Sequence, residues 1–587
     1  MLITPTKRLR PTTGRDGARS ARRRLDPFTI VTAILIAISI AGVLYAVIRF
    51  LSVLIYQNGK LDFSAFAQFV STPEVVGSIG STAIIVGVSA VFAVAIGGII
   101  AWLNERTDAH MGPISDVLPF LPFLSPPIAG AIGWVFLLAP TSGFINAAVT
   151  NVLSVVGIHL TTSPFNIYSY PGVIFVYVIY EVPFAFLMIS AGLRNMDSEL
   201  EEQSRMSGAS PIRTLVRVVA PALAPSIAGA FLLVVWSGFG MYAIPEAIAS
   251  PAQINVMSVE IVRLLTFDFP PQYGAAIVLS LVMVAFVAIA WYLQSRVLRG
   301  SRHATSGGRG RKGPRRSLGK AKWPLRVFVL AYFVIATVLP AAALLMVAIN
   351  GYWTPNINWG HLSFTVFTTI FNDPVVLSAL RDSFSIGALV ATVGMIVAAM
   401  VSVLMVSSRS RIARIADGAL KLPVIVSHIV LAVGFILAFA GPPFQLGGTW
   451  AILFLAYFLL FMAQGTLATD PVAAQVGTQL REASQISGAH PWRTFRKIYF
   501  PLLLPGIAVG WALLFVRILG DLEVSALLAG PSNPTIGQQT LVLSSQGNYA
   551  QLAALTIVLF LVTTIVVVGV LALARRHSRW SIAAPLR

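Results

Sequence analysis

Apolar runs of about 20 residues recur from one end of the 587-residue chain to the other, each long enough to carry a helix across the roughly 30 Å hydrocarbon core of a bilayer. They contain Gly and Pro and lack the alternating polar positions of a lipid-facing barrel strand, so they read as helices. Charged residues make up only 11% of the chain and mean hydropathy is +0.81. The fold class is an all-α polytopic membrane protein. There is no Cys, which excludes disulfide frameworks, Cys-based metal sites and thiol nucleophiles, and the seven His show no pair at metal-ligand spacing.

Bounding the runs by polar or Pro/Gly clusters places twelve spans near 28–51, 77–103, 115–139, 170–193, 220–243, 274–295, 325–349, 383–407, 420–440, 449–469, 502–520 and 551–574. The first is too long for a signal-peptide core and lacks a small-residue cleavage site, so it reads as an uncleaved span. With the amino terminus in the cytoplasm, the inner segments 1–27, 104–114, 194–219, 296–326, 408–421, 470–501 and 575–587 hold 36 of the 41 Lys and Arg. Arg49, Lys60, Arg263 and Arg381 fall outside them, and Arg517 lies in a span. This is the positive-inside asymmetry of a chain embedded in a lipid bilayer, and it accounts for most of the net charge of +19 with no nucleic-acid partner. The chain divides into a basic cytoplasmic tail (1–27), a six-helix half (28–295), a Gly/Ser/Arg-rich flexible cytoplasmic linker (296–324), a second six-helix half (325–574) and a cytoplasmic tail (575–587).

Residues 202–225 and 482–505 align without a gap at an offset of 280, sharing among others Glu202/Glu482, Gly208/Gly488, Ala209/Ala489, Pro211/Pro491, Arg213/Arg493 and Pro221/Pro501. Both copies fall between the fourth and fifth span of their half. A second correspondence at an offset of 301 pairs Pro122 with Pro423 and Gly133 with Gly434. The halves are therefore parallel repeats, related by a pseudo-two-fold axis along the membrane normal. Gly208 and Gly488 suit a positive φ that ends one short helix, Pro211 and Pro491 suit the first turn of the next, and Ser210 is placed to cap it. The predicted product is a helix–turn–helix on the cytoplasmic face, with Arg213 and Arg217, or Arg493, Arg496 and Lys497, beside apolar Leu215, Trp492 and Phe495. Such a knob fits a groove in a partner. Positive-inside topology alone explains the Arg positions, but not the shared Glu, Gly and Pro spacing.

These loops resemble the "EAA" loop of binding-protein-dependent ABC importer permeases, a Glu-Ala-Ala followed by Gly and a later Leu-Pro. Here Gln203-Ser204 and Ala483-Ser484 stand where the family has Ala-Ala. The resemblance implies that Glu202, Gly208, Ala209, Pro211 and Arg213, with Glu482, Gly488, Ala489, Pro491 and Arg493, form two coupling helices. It implies further that two copies of an ABC ATPase subunit dock on them, that a substrate-binding protein lands on the outer face, and that the chain sits in a bacterial inner membrane. Fusion of two halves, NERTD after the second span and YAQLAALTIVL opening the twelfth are similar to the permeases of ferric-iron importers. Thiamine, phosphonate and sugar-phosphate importers share much of that form.

No G-x-x-x-x-G-K-[ST] loop occurs, so ATP is bound by a partner and the chain itself needs no cofactor. A charge at the bilayer centre costs roughly 2.5–3.5 kcal/mol on insertion scales, so ionisable residues in spans mark a pathway or a buried partner. Candidates for the translocation path are Glu181, His428, Asp521 and Glu523. His428, standing where the first half has Pro127, either lines the path or hydrogen-bonds a neighbouring carbonyl. Asp521 and Glu523 either attract a released cation or pair with Arg517. Glu246 and Glu260, after the fifth span, lie where a binding protein would land, with simple surface exposure as the alternative. An ion-coupled transporter shares the twelve-span plan, but it would concentrate carboxylates near the midplane and would leave the duplicated loop without a role. A membrane enzyme would need a nucleophile or cofactor motif, and none stands out.

Overall fold

The computed structural model describes residues 26–301 and 316–583, apart from 58, 59, 62, 63, 113, 116, 117, 197, 198, 409, 477 and 478. For some further residues, among them Pro211 and Glu482, only the backbone is described. The basic tail up to residue 25 and linker residues 302–315 lie outside the described set. Among the described residues, nine helices are long and apolar enough to cross a membrane. A pair bent by 59°, Val216–Ala222 with Ala224–Gly240, makes a tenth.

The remaining two expected spans, the third and the ninth, are each split. Leu121–Leu124 gives way to Pro127–Leu138, and Leu422–Ile425 to His428–Phe435. In the third span the break falls at Ser125-Pro126, where Pro126 and Pro127 lack the N–H groups that would continue the helix. In the ninth it falls at Val426-Ser427, with both residues extended at ψ 133° and 139°. The second segment of each is buried on all sides, from Ile128 to Leu137 and from Ile429 to Phe435.

The repeat seen in the text is a repeat in space. The second, fourth, fifth and sixth spans pack as a bundle in the first half, and the eighth, tenth, eleventh and twelfth repeat those contacts in the second. Corresponding tertiary hydrogen bonds recur: Thr82 Oγ1 accepts from the Met257 amide at 2.9 Å, and Ser383 Oγ from the Ile536 amide at 2.8 Å. The first span of each half reaches across to the other. Pro27–Ile55 packs on His428–Phe435, and Leu339–Asn350 packs on Pro127–Leu138. Helix association in lipid depends on close packing rather than on the hydrophobic effect, and small residues permit it. At Gly133 a Cβ would stand 2.6 Å from Pro340 Cβ, and at Gly434 it would stand 3.2 Å from the Ala46 carbonyl oxygen.

The linker expectation changes at both ends. The sixth span stays helical to Ser301. Arg316 exchanges backbone hydrogen bonds with Arg106 and Asp108, both 2.9 Å, and the Asp108 carboxylate accepts from the Leu318 amide. The Arg326 guanidinium donates to the carbonyls of Asp108, Ala109 and His110, as a cation does at the carbonyl-rich end of a helix. Residues 316–326 thus clasp the NERTD loop instead of forming part of a solvated tether. The last helix runs to Ala583, well into the expected tail.

Replacing Gly133 by Ala is expected to destabilise the detergent-solubilised protein by about 1–3 kcal/mol, as overpacking does. Gly77→Ala, in a helix interior where a Cβ meets nothing within 4 Å, is expected to keep or slightly raise the thermal midpoint, and scanning fluorimetry of the two variants makes the comparison.

Candidate functional site

Two features stand out: the paired loops on one face and a cavity between the halves. Each loop consists of a helix (Glu199–Met206 or Gln479–Ile486), a turn, and a second helix beginning at Pro211 or Pro491. Gly208 has φ +75° and Gly488 φ +73°, a conformation that side chains other than glycine's rarely adopt. The following amides, of Ala209 and Ala489, return to the Ser204 and Ser484 carbonyls at 3.1 and 3.0 Å, closing each helix with a Schellman-type bond. Ser210 Oγ accepts from the Arg213 amide, and His490 Nδ1 takes the same capping role for Trp492.

The small polar residue that replaces the family's second Ala is explained here. Ser204 Oγ meets Thr214 Oγ1 at 3.0 Å and Ser484 Oγ meets Thr494 Oγ1 at 2.8 Å, tying the two helices of each loop together. Glu202, Gly208, Arg213, Gly488 and Arg493 are exposed, while Ala209, Ala489 and Pro491 are half-buried. The side chains of Pro211 and Glu482 fall outside the described set. Phe495 is not part of an outward knob: it is buried, with its ring 5.1 Å from that of Phe28 on the first span. Trp492 is exposed as expected, and the most exposed apolar residues of the loops are Met206 and Ile486, each 88% exposed and separated by the same 280 residues. Their type alone marks them as nothing special; the repeat offset, combined with the turn two residues later, was the usable signal. In the first half the loop is braced by Arg106, whose guanidinium lies 3.1 Å from Glu201 and donates to the Leu193 and Met196 carbonyls.

The cavity, about 440 Å³, is walled by both halves at the two helix breaks. Ser125, Pro126, Tyr180 and Trp236 face it from the first half, and Ser427, His428, Gln464, Arg517, Asp521 and Glu523 from the second. His428 Nδ1 stands 3.2 Å from a Glu523 carboxylate oxygen, so its partner is that carboxylate and not a carbonyl. Asp521 Oδ2 accepts from the Tyr457 hydroxyl at 3.1 Å and from the Val524 and Ser525 amides at 2.9 and 3.2 Å. Arg517 is within electrostatic range of Glu523, Glu181 and Asp521. Of the four residues proposed for the path, three are therefore brought together. Glu181 is fully buried but does not line the cavity. Among the described residues neither of its oxygens has a hydrogen bond of ordinary geometry, with Ser237 and Arg517 as polar neighbours.

The ionisable wall belongs to one half. At the repeat offsets, His428, Asp521 and Glu523 replace Pro127, Met241 and Ala243, and Arg517 replaces Ser237. Away from the cavity, neither Glu260 nor Glu246 is simply exposed. Glu260 is buried and paired with Arg263 at 2.5 Å, and burial raises its pKa above the usual carboxylate value although Arg263 opposes this. Glu246 is half-buried, and its pKa too is raised by burial.

Residues 93–301 and 390–580 each match the family described as binding-protein-dependent transport system inner membrane component. Among curated relatives, an Fe(3+)-transport system permease protein of Haemophilus influenzae is 23% identical over 516 residues, covering 86% of this chain and 92% of that one. A Salmonella paratyphi A permease named for 2-aminoethylphosphonate transport is 28% identical over 155 residues, 26% of this chain and 58% of that one. Among solved structures, a bacterial ABC transporter involved in the import of the acidic polysaccharide alginate aligns with a TM-score of 0.36 at 19% identity, over 44% of this chain and 96% of that one.

Because the natural chain has no cysteine, a single introduced thiol reports unambiguously on access to the cavity. Gln464→Cys, on the cavity wall, is expected to react with a charged methanethiosulfonate reagent, whereas Leu555→Cys, fully buried in the core, is expected to stay unlabelled. Mass spectrometry of the two variants reads the difference.

Proposed function

We propose, from the premise that this chain belongs to the family of binding-protein-dependent transport system inner membrane components, that it imports ferric iron. The family makes it the multi-pass permease subunit of an ABC importer in the inner membrane, not an enzyme, with ATP hydrolysis in a separate subunit. The observation that carries the ferric reading is the extent of the match. The Haemophilus influenzae Fe(3+) permease is matched over 86% of this chain and 92% of its own length, across both fused halves, whereas the phosphonate-named relative is matched over 26% of this chain and 58% of its own length. A cavity wall bearing an imidazole and two carboxylates agrees with a cationic cargo.

In this reading the repeat loops and both termini face the cytoplasm. One ATPase docks at each loop, with Met206 or Ile486 entering a groove and Arg213 or Arg493 at its rim. A binding protein delivers iron to the opposite face. Closure of the ATPases pushes on both loops, and because the first span of each half rests on the other, the halves rock about the central cavity together. Arg517 on the cavity wall favours one competing cargo, a small organic anion such as a phosphonate, for which the guanidinium would be the recognition group.

The deciding experiment purifies the chain with its ATPase and binding protein and measures ATP hydrolysis with ferric iron, thiamine, phosphonates and sugar phosphates. Stimulation by the iron-loaded binding protein alone is expected; stimulation by a phosphonate alone would replace the cargo. For the loops, Ile486→Asp is expected to reduce ATPase co-purification by tenfold or more, roughly what loss of a central anchor of about 1.4 kcal/mol or above does. Phe269→Asp, 98% exposed away from the loops, serves as the unaffected control. Gly208→Pro, which cannot hold φ +75°, is expected to leave insertion intact while uncoupling hydrolysis from uptake. Normal uptake by that variant would remove the coupling role.

A further inference from the structure

The geometry points to a transit site for a hard, oxygen-seeking metal cation on the cavity wall, formed by His428, Asp521 and Glu523. This rests on the reading of the cavity as the path of a cationic cargo. Each of the three offers one donor atom, and these atoms lie within 4.8 Å of one another. They come from separate elements: His428 opens the second segment of the broken ninth span, and the two carboxylates lie in the turn after the eleventh. One imidazole and two carboxylates suit a first-row cation such as iron or manganese, and the absence of any thiolate in the chain disfavours softer metals.

A second observation comes from the same wall. Ser427, beside His428 at the break, is nine-tenths buried and faces the cavity, and its hydroxyl has no hydrogen-bond partner among the described residues. A desolvated hydroxyl left unpaired is costly, about 1–3 kcal/mol, and a cation with its residual water shell is a partner of the right polarity. The carboxylates are also arranged as ligands. Among the described residues the three hydrogen bonds to the Asp521 carboxylate fall on Oδ2, from Tyr457, Val524 and Ser525. They hold the group in orientation, as outer partners of a metal ligand do, and leave Oδ1 for a cation. Glu523 meets His428 at 3.2 Å, with Arg517 also in electrostatic range, and a cation inserted between Glu523 and His428 would replace that contact.

Charge sets the strength. Two carboxylates facing Arg517 leave the wall acidic enough to attract a cation, while the guanidinium keeps it from being held tightly. Passage requires that balance, entry without trapping. Because the equivalent positions in the first half are Pro127, Met241 and Ala243, the pseudo-symmetry produces one site to the side of the axis and not a pair.

Terbium(III), a hard trivalent ion whose emission is sensitised by nearby aromatic rings, is the probe. Tyr457 and Trp236 stand at the site and at the cavity wall. The full chain with its ATPase, in phosphatidylcholine nanodiscs, is expected to show saturable terbium emission. Binding should weaken roughly ten- to a hundredfold in Glu523→Gln and in His428→Ala and stay unchanged in Glu74→Gln, an exposed carboxylate elsewhere. Glu523→Gln preserves shape, and an elution profile matching that of the wild type is the check that the fold is kept. Equal titrations in wild type and both variants overturn the site, whatever ligand stimulates hydrolysis. Binding lost in the variants, with hydrolysis stimulated by an organic ligand and not by iron, upholds the site and overturns the ferric cargo instead.

Discussion

In hydrocarbon every backbone N–H and C=O must find a partner within the protein, so a helix can be interrupted only where other protein or a wet cavity surrounds the interruption. The breaks at Ser125-Pro126 and Val426-Ser427 obey that constraint, and the architecture follows from them. The second segment of each broken span is buried on all sides. The loose ends are partly served by side chains: Ser125 Oγ donates to the Pro122 carbonyl at 2.8 Å and meets the Tyr180 hydroxyl at 3.1 Å. What remains faces the cavity, so the place where helical regularity fails is also the place where a polar cargo can be accommodated.

The exchange of first spans makes the two halves one mechanical unit. Pro27–Ile55 and Leu339–Asn350 each cross to the other half's broken span, and the approach is close enough that Gly133 and Gly434 have no room for an ordinary side chain without displacement. The loop of the second half inherits that connection, since the Phe28 ring of the first span lies 5.1 Å from the Phe495 ring in that loop. A push on one loop therefore bears on helices of both halves, as a rocking motion requires.

The loops were legible because duplication wrote them twice: Glu, Gly and Pro at one spacing cannot be explained by topology alone, and the positive φ at Gly208 and Gly488 follows from residue type. Ser204 and Ser484 looked like tolerable departures, and only their contacts with Thr214 and Thr494 show a purpose. Glu260 could not be read as buried from a loop position: its pairing with Arg263 is a local i,i+3 contact on one helix, but its burial depends on how that helix packs. Likewise the linker's composition suggested a tether, and nothing local in Arg316 or Arg326 predicts that both grip the loop after the second span.

The sequence by itself determined that the chain crosses a membrane many times, that it consists of two parallel halves, and that each half carries the same loop. Those properties depend on local hydropathy, charge bias and repetition, which are additive along a chain. Only the tertiary structure decided which half each first span packs against, and that His428, Asp521 and Glu523 share a wall that Glu181 does not reach. These are contacts between residues about a hundred or more positions apart, or across the two halves. Such contacts are set by side-chain shape and by the need to satisfy polar groups in a medium without water, neither of which is encoded at any single position.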